Sequence, residues 1–315
     1  MLAIETTELT KKYGALTAVN KLDLRVEANT IHGFLGPNGA GKTTTIKILV
    51  GLLKADSGVA RIFEQEIHGD NPDIRLRIGY MPELPKFPKH LTGYELLDIY
   101  GKMYGMAKQE RKEQIPKLLE TVGLKNRERD HLGKYSKGMQ QRLGIAQALL
   151  NNPELVIMDE PSLGLDPVGM VEVREIVKEV AKGGVTVFIS SHLLHEVQQI
   201  CSHVTIINRG ISLASDTLLN VSSQLSGPPI LLVEVVKLTD KIVTSLEKLP
   251  FVSSVSKENN KMIIQLNTKD DVRPQVSQAI TESKGVIVSM SLKEQSLEDV
   301  FMKLVTSQQG EAERK

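Results

Sequence analysis

The sequence predicts an α/β fold with a mostly parallel sheet, followed by a smaller α+β domain. Short apolar runs alternate with segments of helical periodicity, and strands separated by helices form parallel sheets that carry helices on their faces. A helix-rich stretch at about residues 91–150 is interpreted as a helical subdomain inserted into that core. The breaker cluster Ser226-Gly227-Pro228-Pro229 precedes a change in element order. We therefore expect a first domain over residues 1–226, a second over 230–305 and a flexible tail over 306–315.

Length and composition narrow the class of protein. A chain of 315 residues corresponds to about two domains. Its formal net charge of +1 argues against a general polyanion-binding protein, and its single cysteine, Cys201, excludes an internal disulfide framework. No run reaches the ~18 consecutive apolar residues that a membrane span needs, and no basic segment precedes an apolar run at the N-terminus. We expect a cytoplasmic protein that reaches a membrane only through a partner.

In the first domain, local hydrophobic periodicity predicts each element. Alternating patterns or continuous apolar runs predict strands at residues 19–26, 31–35, 155–158 and 185–189. A 3.6-residue repeat predicts helices at residues 42–53, 94–103, 108–122, 137–150 and 168–181.

The second domain shows a different order of elements. Strands are predicted at residues 230–236, 252–256, 262–266 and 286–290. Helices are predicted at residues 240–249, 272–283 and 297–305. The first six of these elements give the order βαββαβ, which is typical of a ferredoxin-like domain, and the last helix closes it.

One segment matches the phosphate-binding pattern G-x-x-x-x-G-K-[ST]: Gly36, Pro37, Asn38, Gly39, Ala40, Gly41, Lys42 and Thr43, with Thr44 next. It follows a predicted strand and opens a predicted helix, which is the context that this pattern requires. Glycines let successive backbone N–H groups point at phosphate oxygens, and the helix N-terminus adds positive potential. Lys42 would supply a positive charge for β- and γ-phosphates, and the Thr43 hydroxyl would bind Mg²⁺. The alternative is a glycine turn before an ordinary helix.

An acidic pair, Asp159 and Glu160, follows the apolar run at residues 155–158. In a fold with such a phosphate-binding loop, an aspartate at this place holds Mg²⁺ or its water. Adjacent residues of a strand point to opposite faces, and Pro161 predicts that the strand ends here. Glu160 can then turn towards the γ-phosphate and order a water molecule. Taken alone, the pair would be a solvated strand end.

Between these two motifs lies a segment, Tyr135-Ser136-Lys137-Gly138-Met139, that resembles the signature motif of ATP-binding cassette (ABC) ATPases. The family usually has Leu-Ser-Gly-Gly-Gln, so Ser136 and Gly138 are kept. The other three residues depart from this pattern in a way that resembles the motif of a bacterial exporter branch that includes drug-resistance ATPases. The resemblance covers about residues 2–225 and implies a P-loop NTPase core. It also implies that Ser136, Lys137 and Gly138 of one subunit close over ATP held on the P-loop of another.

Further matches follow in the order of the family. His192 resembles the switch histidine that touches the γ-phosphate, and Asp166 lies in a segment similar to the D-loop of the dimer interface. Tyr13 resembles the aromatic residue that stacks on adenine. Glu83 occupies the place of the Q-loop glutamine, where its carboxylate would bind Mg²⁺ and would rival Glu160 in ordering water.

The resemblance implies the ATP-hydrolysing subunit of an ABC transporter, of exporter type, with ATP and Mg²⁺ as cofactors and Glu160 and His192 as catalytic residues. It implies two partners, a second nucleotide-binding subunit and an integral membrane permease on a separate chain, and a place on the cytoplasmic face of the membrane. A second hypothesis is a soluble ABC-type ATPase acting on nucleic acid or ribosomes, but the chain has one set of motifs and no heptad run. A third is a regulatory ATP-binding module, against which the set of Asp159, Glu160 and His192 argues. We expect no nucleic-acid partner.

Overall fold

A computed structural model describes residues 1–67, 72–225, 229–268 and 270–293 of the chain, which divides into two compact units, Met1–Val221 and Ser222–Lys315. Numbered in chain order, the strands of the first unit are β1 (Leu2–Tyr13), β2 (Leu16–Glu27), β3 (Ile31–Leu35), β4 (Ser57–Ile62), β5 (Gln65–Glu66), β6 (Ile78–Met81), β7 (Leu155–Asp159), β8 (Thr186–Ser191), β9 (His203–Asn208) and β10 (Ile211–Thr217). The helices that begin in this unit are α1 (Lys42–Leu49), α2 (Pro72–Leu76), α3 (Gly93–Met103), α4 (Lys108–Thr121), α5 (Lys137–Leu149), α6 (Pro167–Lys182), α7 (Leu194–Ile200) and α8 (Leu218–Leu225).

The larger sheet of the first unit has the strand order β10-β9-β3-β8-β7-β6. Its strands from β9 to β6 run parallel, and β10 joins the edge antiparallel to β9. The central strands β3, β7 and β8 are almost wholly buried, as expected for parallel strands that are covered on both faces. The predicted parallel α/β core is therefore confirmed.

A second, antiparallel sheet has the order β2-β1-β4-β5. The strand predicted at residues 19–26 lies within β2, whereas β1, β4 and β5 have no counterpart among the predicted elements. Register shifts interrupt the pairing of β1 with β2 at several points, and such irregularities break the two-residue alternation that reveals a strand in a sequence. The hairpin between these two strands brings Tyr13 opposite Leu16.

Helix α1 is shorter than predicted. The periodicity extends to residue 53, but the helix ends at Leu49 with Val50 as its C-cap residue. Gly51 adopts a positive φ of 71°, which turns the chain out of the helix. Leu53 is partly buried against the core, so its apolar character reflects packing of a loop residue rather than another helical turn.

The helices α3, α4 and α5 lie between β6 and β7, two strands that are neighbours in the parallel sheet. Helix α3 begins with a capping box in which Thr92 Oγ1 accepts the Glu95 N–H at 3.2 Å and the Glu95 carboxylate accepts the Thr92 N–H at 2.9 Å. Leu97 and Leu119 belong to the core shared by these helices and β7. The helix-rich stretch thus lies between two paired strands, and its three helices begin within a residue of their predicted starts.

The second unit contains β11 (Ile230–Val235), α9 (Asp240–Glu247), β12 (Val252–Glu258), β13 (Lys261–Leu266), α10 (Arg273–Glu282) and β14 (Ile287–Lys293). Its antiparallel sheet has the order β12-β13-β11-β14, and α9 and α10 pack on a core that includes Leu231 and Ile264. This is the predicted ferredoxin-like order. The helix predicted at residues 297–305 and the tail at 306–315 lie outside the described residues. In the described part of the chain, no helix has the length and apolar content that crossing a bilayer requires.

Candidate functional site

The carboxyl ends of β3, β7 and β8 meet at one edge of the parallel sheet, where α/β folds commonly bind ligands. A cavity of about 460 Å³ opens there. It is lined by Tyr13, Leu16, Ala18, Asn38, Gly39, Ala40, Gly41, Lys42, Thr43, Thr44, Glu83, Glu160, Leu163 and His192. The fold thus gathers into one site residues that are predicted from five separate segments of the sequence.

Two glycines let the loop between β3 and α1 fold tightly at this cavity. Gly41 has a φ of 106°, and a Cβ atom there would lie 2.4 Å from the Ala18 carbonyl oxygen. A Cβ atom at Gly36 would lie 2.3 Å from the Ile207 carbonyl oxygen. Any other residue at either position would displace backbone. Because α1 begins at Lys42, its N-terminus adds the positive end of a helix dipole to the cavity.

The Lys42 ammonium is surrounded by oxygen atoms of the same chain. Its Nζ atom donates to the carbonyl oxygens of Gly36 at 2.7 Å and Pro37 at 3.2 Å. Glu160 Oε1 lies 3.1 Å from the same Nζ, within ion-pair distance but without hydrogen-bond alignment. The Lys42 and Glu160 side chains are 6% and 9% exposed, so solvent screens the pair weakly.

Glu160 connects Lys42 to His192. Strand β7 ends at Asp159, as predicted, and Glu160 adopts a left-handed φ of 50°. The following Pro161 disfavours the right-handed helical conformation at this residue. Glu160 Oε2 lies 2.8 Å from His192 Nδ1, so the two oxygens of one carboxylate contact two different residues of the site.

Asp159 has the free oxygen that a hard cation requires. Its Oδ1 accepts the Ser190 hydroxyl at 2.6 Å, whereas Oδ2 is buried and finds no partner among the described residues. Burial raises the pKa of Tyr80 to about 12, and the charges of Asp159 and Glu83 act in the same direction. Asp159 does not itself line the cavity, but a carboxylate oxygen that has no partner among the described residues is the kind of ligand that Mg²⁺ takes.

Tyr13 and Glu83 enter the cavity from two other segments. Tyr13 ends β1 and is 49% exposed, with the Lys11 ammonium 5.9 Å from its ring centroid. The Glu83 backbone carbonyl accepts the Gln141 amide at 3.1 Å, which ties this segment to helix α5. An exposed aromatic ring that lines this cavity is a suitable surface for a purine base.

The signature segment and Asp166 do not line the cavity of their own chain. Ser136 caps α5 by accepting the Met139 N–H at 3.2 Å, and Asp166 caps α6 by accepting the Gly169 N–H at 2.8 Å. Lys137 Nζ lies over Gly164, where a Cβ atom would be 2.1 Å away. The nucleotide contacts of Ser136, Lys137, Gly138 and Asp166 therefore stay predictions.

The sequence reasoning missed four residues of this region. Leu16, Ala18 and Leu163 line the cavity, and Ser190 bridges its acidic residues. Leu16 could have been found from its place across the turn that follows Tyr13. For the others the sequence offers no distinct signal, because their roles arise from the pairing of distant segments.

Comparison with known proteins agrees with this geometry. The family model for ABC transporters matches residues 19–163, and that for the C-terminal domain of DrrA1-3-like ATP-binding proteins matches residues 224–305. The bacitracin transport ATP-binding protein of Bacillus licheniformis is 48% identical over 66% of this chain and 67% of its own. The linearmycin resistance ATP-binding protein of Bacillus subtilis is 32% identical over 96% of this chain and 97% of its own.

Solved structures agree as well. An ATP-binding subunit of an ABC transporter superposes with a TM-score of 0.64 at 31% identity, over 70% of this chain and 92% of that chain. The ADP conformation of an ATP-binding cassette gives a TM-score of 0.61 at 26% identity, over 69% and 91% of the two chains. The chain therefore belongs to the ABC transporter ATP-binding proteins, in the branch of the drug-resistance exporters, and is an ATP-hydrolysing subunit with a P-loop fold.

Proposed function

We propose that this chain binds Mg²⁺ and ATP in the cavity described above, and that hydrolysis there drives an export permease on a separate chain. The observation that supports this proposal most directly is the convergence of Lys42, Glu160 and His192. These side chains come from three segments of the sequence, and each lies within 3.1 Å of the next.

The three side chains divide the work on the nucleotide. Because the triphosphate carries more negative charge than a carboxylate, it displaces Glu160 from the ion pair with the Lys42 ammonium. Glu160 is then available to order and polarise the attacking water, which is general-base catalysis. His192 keeps the Glu160 carboxylate oriented and contacts the γ-phosphate. Tyr13 stacks on the adenine, and the backbone from Gly36 to Gly41 surrounds the phosphates.

Three oxygen-bearing groups hold Mg²⁺, either directly or through water. Asp159 offers Oδ2, which has no partner in the described part of the chain, Thr43 its hydroxyl and Glu83 a carboxylate. When bound, Mg²⁺ neutralises the charge that develops on the transferred phosphoryl group.

A second nucleotide-binding subunit completes each site. Ser136 and Lys137 are exposed at the N-terminus of α5 and lie outside the cavity of their own chain. A helix N-terminus favours anions, so this end of α5 closes over the γ-phosphate held by another subunit. Asp166 lies in the segment that crosses between the two subunits.

The partner in the membrane is a permease, against whose cytoplasmic face this chain docks. Two of the relatives are a bacitracin transport ATP-binding protein and a linearmycin resistance ATP-binding protein. Resistance to an antibiotic by transport requires its removal from the cell, which supports export as the direction here.

The test combines turnover with partner capture. The full chain is tagged, expressed with the membrane protein of the neighbouring reading frame and purified in detergent, alongside the Glu160→Gln variant. We expect both to recover the membrane protein, and we expect the variant to lose at least ~100-fold in turnover while it still binds ATP. Recovery of RNA or ribosomal proteins instead, or near-normal turnover of Glu160→Gln, would contradict the proposal.

A further inference from the structure

We propose that Ser190 is a positioning residue of the ATPase site, because its hydroxyl joins the two acidic residues at the end of β7. This inference rests on the roles proposed above for Asp159 and Glu160. Ser190 lies on β8, paired with Asp159 in the parallel ladder between the two strands. It is fully buried, so solvent does not compete for its hydroxyl.

The hydroxyl of Ser190 makes two contacts with opposite polarity. Its proton is donated to Asp159 Oδ1 at 2.6 Å, and its oxygen accepts the Glu160 backbone N–H at 2.9 Å. A serine hydroxyl has one proton to donate, so the contact with Glu160 fixes which way that proton points. Both contacts are thus made at once by a single atom.

The first contact fixes the orientation of the Asp159 carboxylate. With Oδ1 engaged, the carboxylate is held so that Oδ2, which has no partner among the described residues, is the oxygen left for a cation. Groups that orient a metal-binding carboxylate from behind strongly affect the affinity of the site for the metal. Ser190 therefore acts on Mg²⁺ through Asp159 rather than by contact.

The second contact anchors the backbone of Glu160. This residue has a φ of 50°, a conformation that residues other than glycine adopt infrequently. The anchored N–H holds the peptide in this turn, from which the carboxylate reaches both Lys42 Nζ at 3.1 Å and His192 Nδ1 at 2.8 Å. Ser190 thereby links the cation-binding and the water-activating carboxylates.

The adjacent serine does not share this arrangement. Ser191 Oγ accepts the Leu193 N–H at 3.0 Å and donates to Glu196 Oε2 at 3.4 Å. Successive residues of a strand point to opposite faces, so Ser191 is directed away from the acidic pair. Of these two neighbouring serines, it is therefore Ser190 whose hydroxyl contacts the acidic pair.

The test measures how far Mg²⁺ strengthens ATP binding to the full chain. Calorimetric titrations with ATP are run in Mg²⁺ and in EDTA, in a Glu160→Gln background that prevents turnover but keeps the backbone contact. We expect Ser190→Ala to raise the Mg²⁺ concentration required for tight binding by about 10- to 100-fold. Affinity in EDTA should stay within about twofold, because the Glu160→Gln background has no charge at residue 160 that could compete with the phosphates for Lys42. Ser190→Cys, which keeps the size but has a weaker hydrogen-bonding group, should give an intermediate shift.

Thr186→Val is the matched control. Thr186 lies on the same strand β8, is 1% exposed and accepts the Asn29 N–H at 2.9 Å, but it stands at the far end from the site. The Thr186→Val substitution should leave the Mg²⁺ dependence of ATP binding unchanged. If Asp159→Asn shifts this dependence and Ser190→Ala does not, the inference about Ser190 is wrong and the proposed function stands. If neither shifts it, the proposed role of Asp159 fails as well.

Discussion

The contact between Lys42 and Glu160 predicts that removing the Glu160 charge makes ATP bind more tightly. Glu160 Oε1 lies 3.1 Å from Lys42 Nζ, and both side chains are almost fully buried. At an effective dielectric constant of about 20, two charges at this distance attract each other by about 5 kcal/mol. Desolvation offsets most of this, and Lys42 keeps its two carbonyl acceptors, so we expect a net value of about 1–2 kcal/mol for the pair.

ATP must break this pair to reach the ammonium, and the Glu160→Gln variant has no such pair to break. The variant should therefore bind ATP about 5- to 30-fold more tightly than the wild type. Titration calorimetry of the full chain in EDTA measures this without interference from turnover.

The control is Glu179→Gln, which neutralises a carboxylate in an exposed ion pair with Lys182 and should leave ATP affinity unchanged. Equal or weaker binding by Glu160→Gln would refute the reasoning. It would mean that the carboxylate does not compete with the triphosphate for Lys42.

Three further predictions address other residues. Tyr13→Ala should weaken ATP binding by about 1–3 kcal/mol, the usual value of base stacking on an aromatic ring, and an unchanged dissociation constant would exclude stacking. Ser136→Ala should lower the fraction of ATP-dependent dimer in light scattering, and an equal fraction would remove Ser136 from the interface. Burial, helped by the charge of His203, lowers the pKa of His32 from 6.5 to about 3. Below pH 6.5 the unfolded chain therefore binds a proton at this residue that the folded chain does not bind. The free energy of unfolding consequently decreases as the pH is lowered. Between pH 6 and 5 the wild type should lose about 1 kcal/mol more than His32→Gln in urea unfolding; equal losses would contradict this.

The motifs and the parallel core could be predicted from the sequence because each depends on local order. The loop ending in Lys42 carries its own glycines, and Pro161 marks the end of β7 at Asp159. The βαββαβ order of the second unit is likewise visible in the succession of periodicities.

Other features depend on which distant segments meet, and the sequence does not contain that information in a local form. Ser190 is 31 residues from Asp159, and only the pairing of β7 with β8 brings them together. Strand β1 was not predicted because its irregular pairing disrupts the two-residue alternation of a strand. Helix α1 was predicted to be too long because Leu53 is apolar, although this residue packs on the core from the loop after the helix.

The most direct test of the account is a structure of the full-length Glu160→Gln protein with Mg²⁺ and ATP. We predict two subunits with ATP between them, Lys42 on the β- and γ-phosphates and the Ser136 hydroxyl of the opposite subunit on the same γ-phosphate. A monomer, or a nucleotide whose phosphates lie away from Lys42, would contradict the central claim.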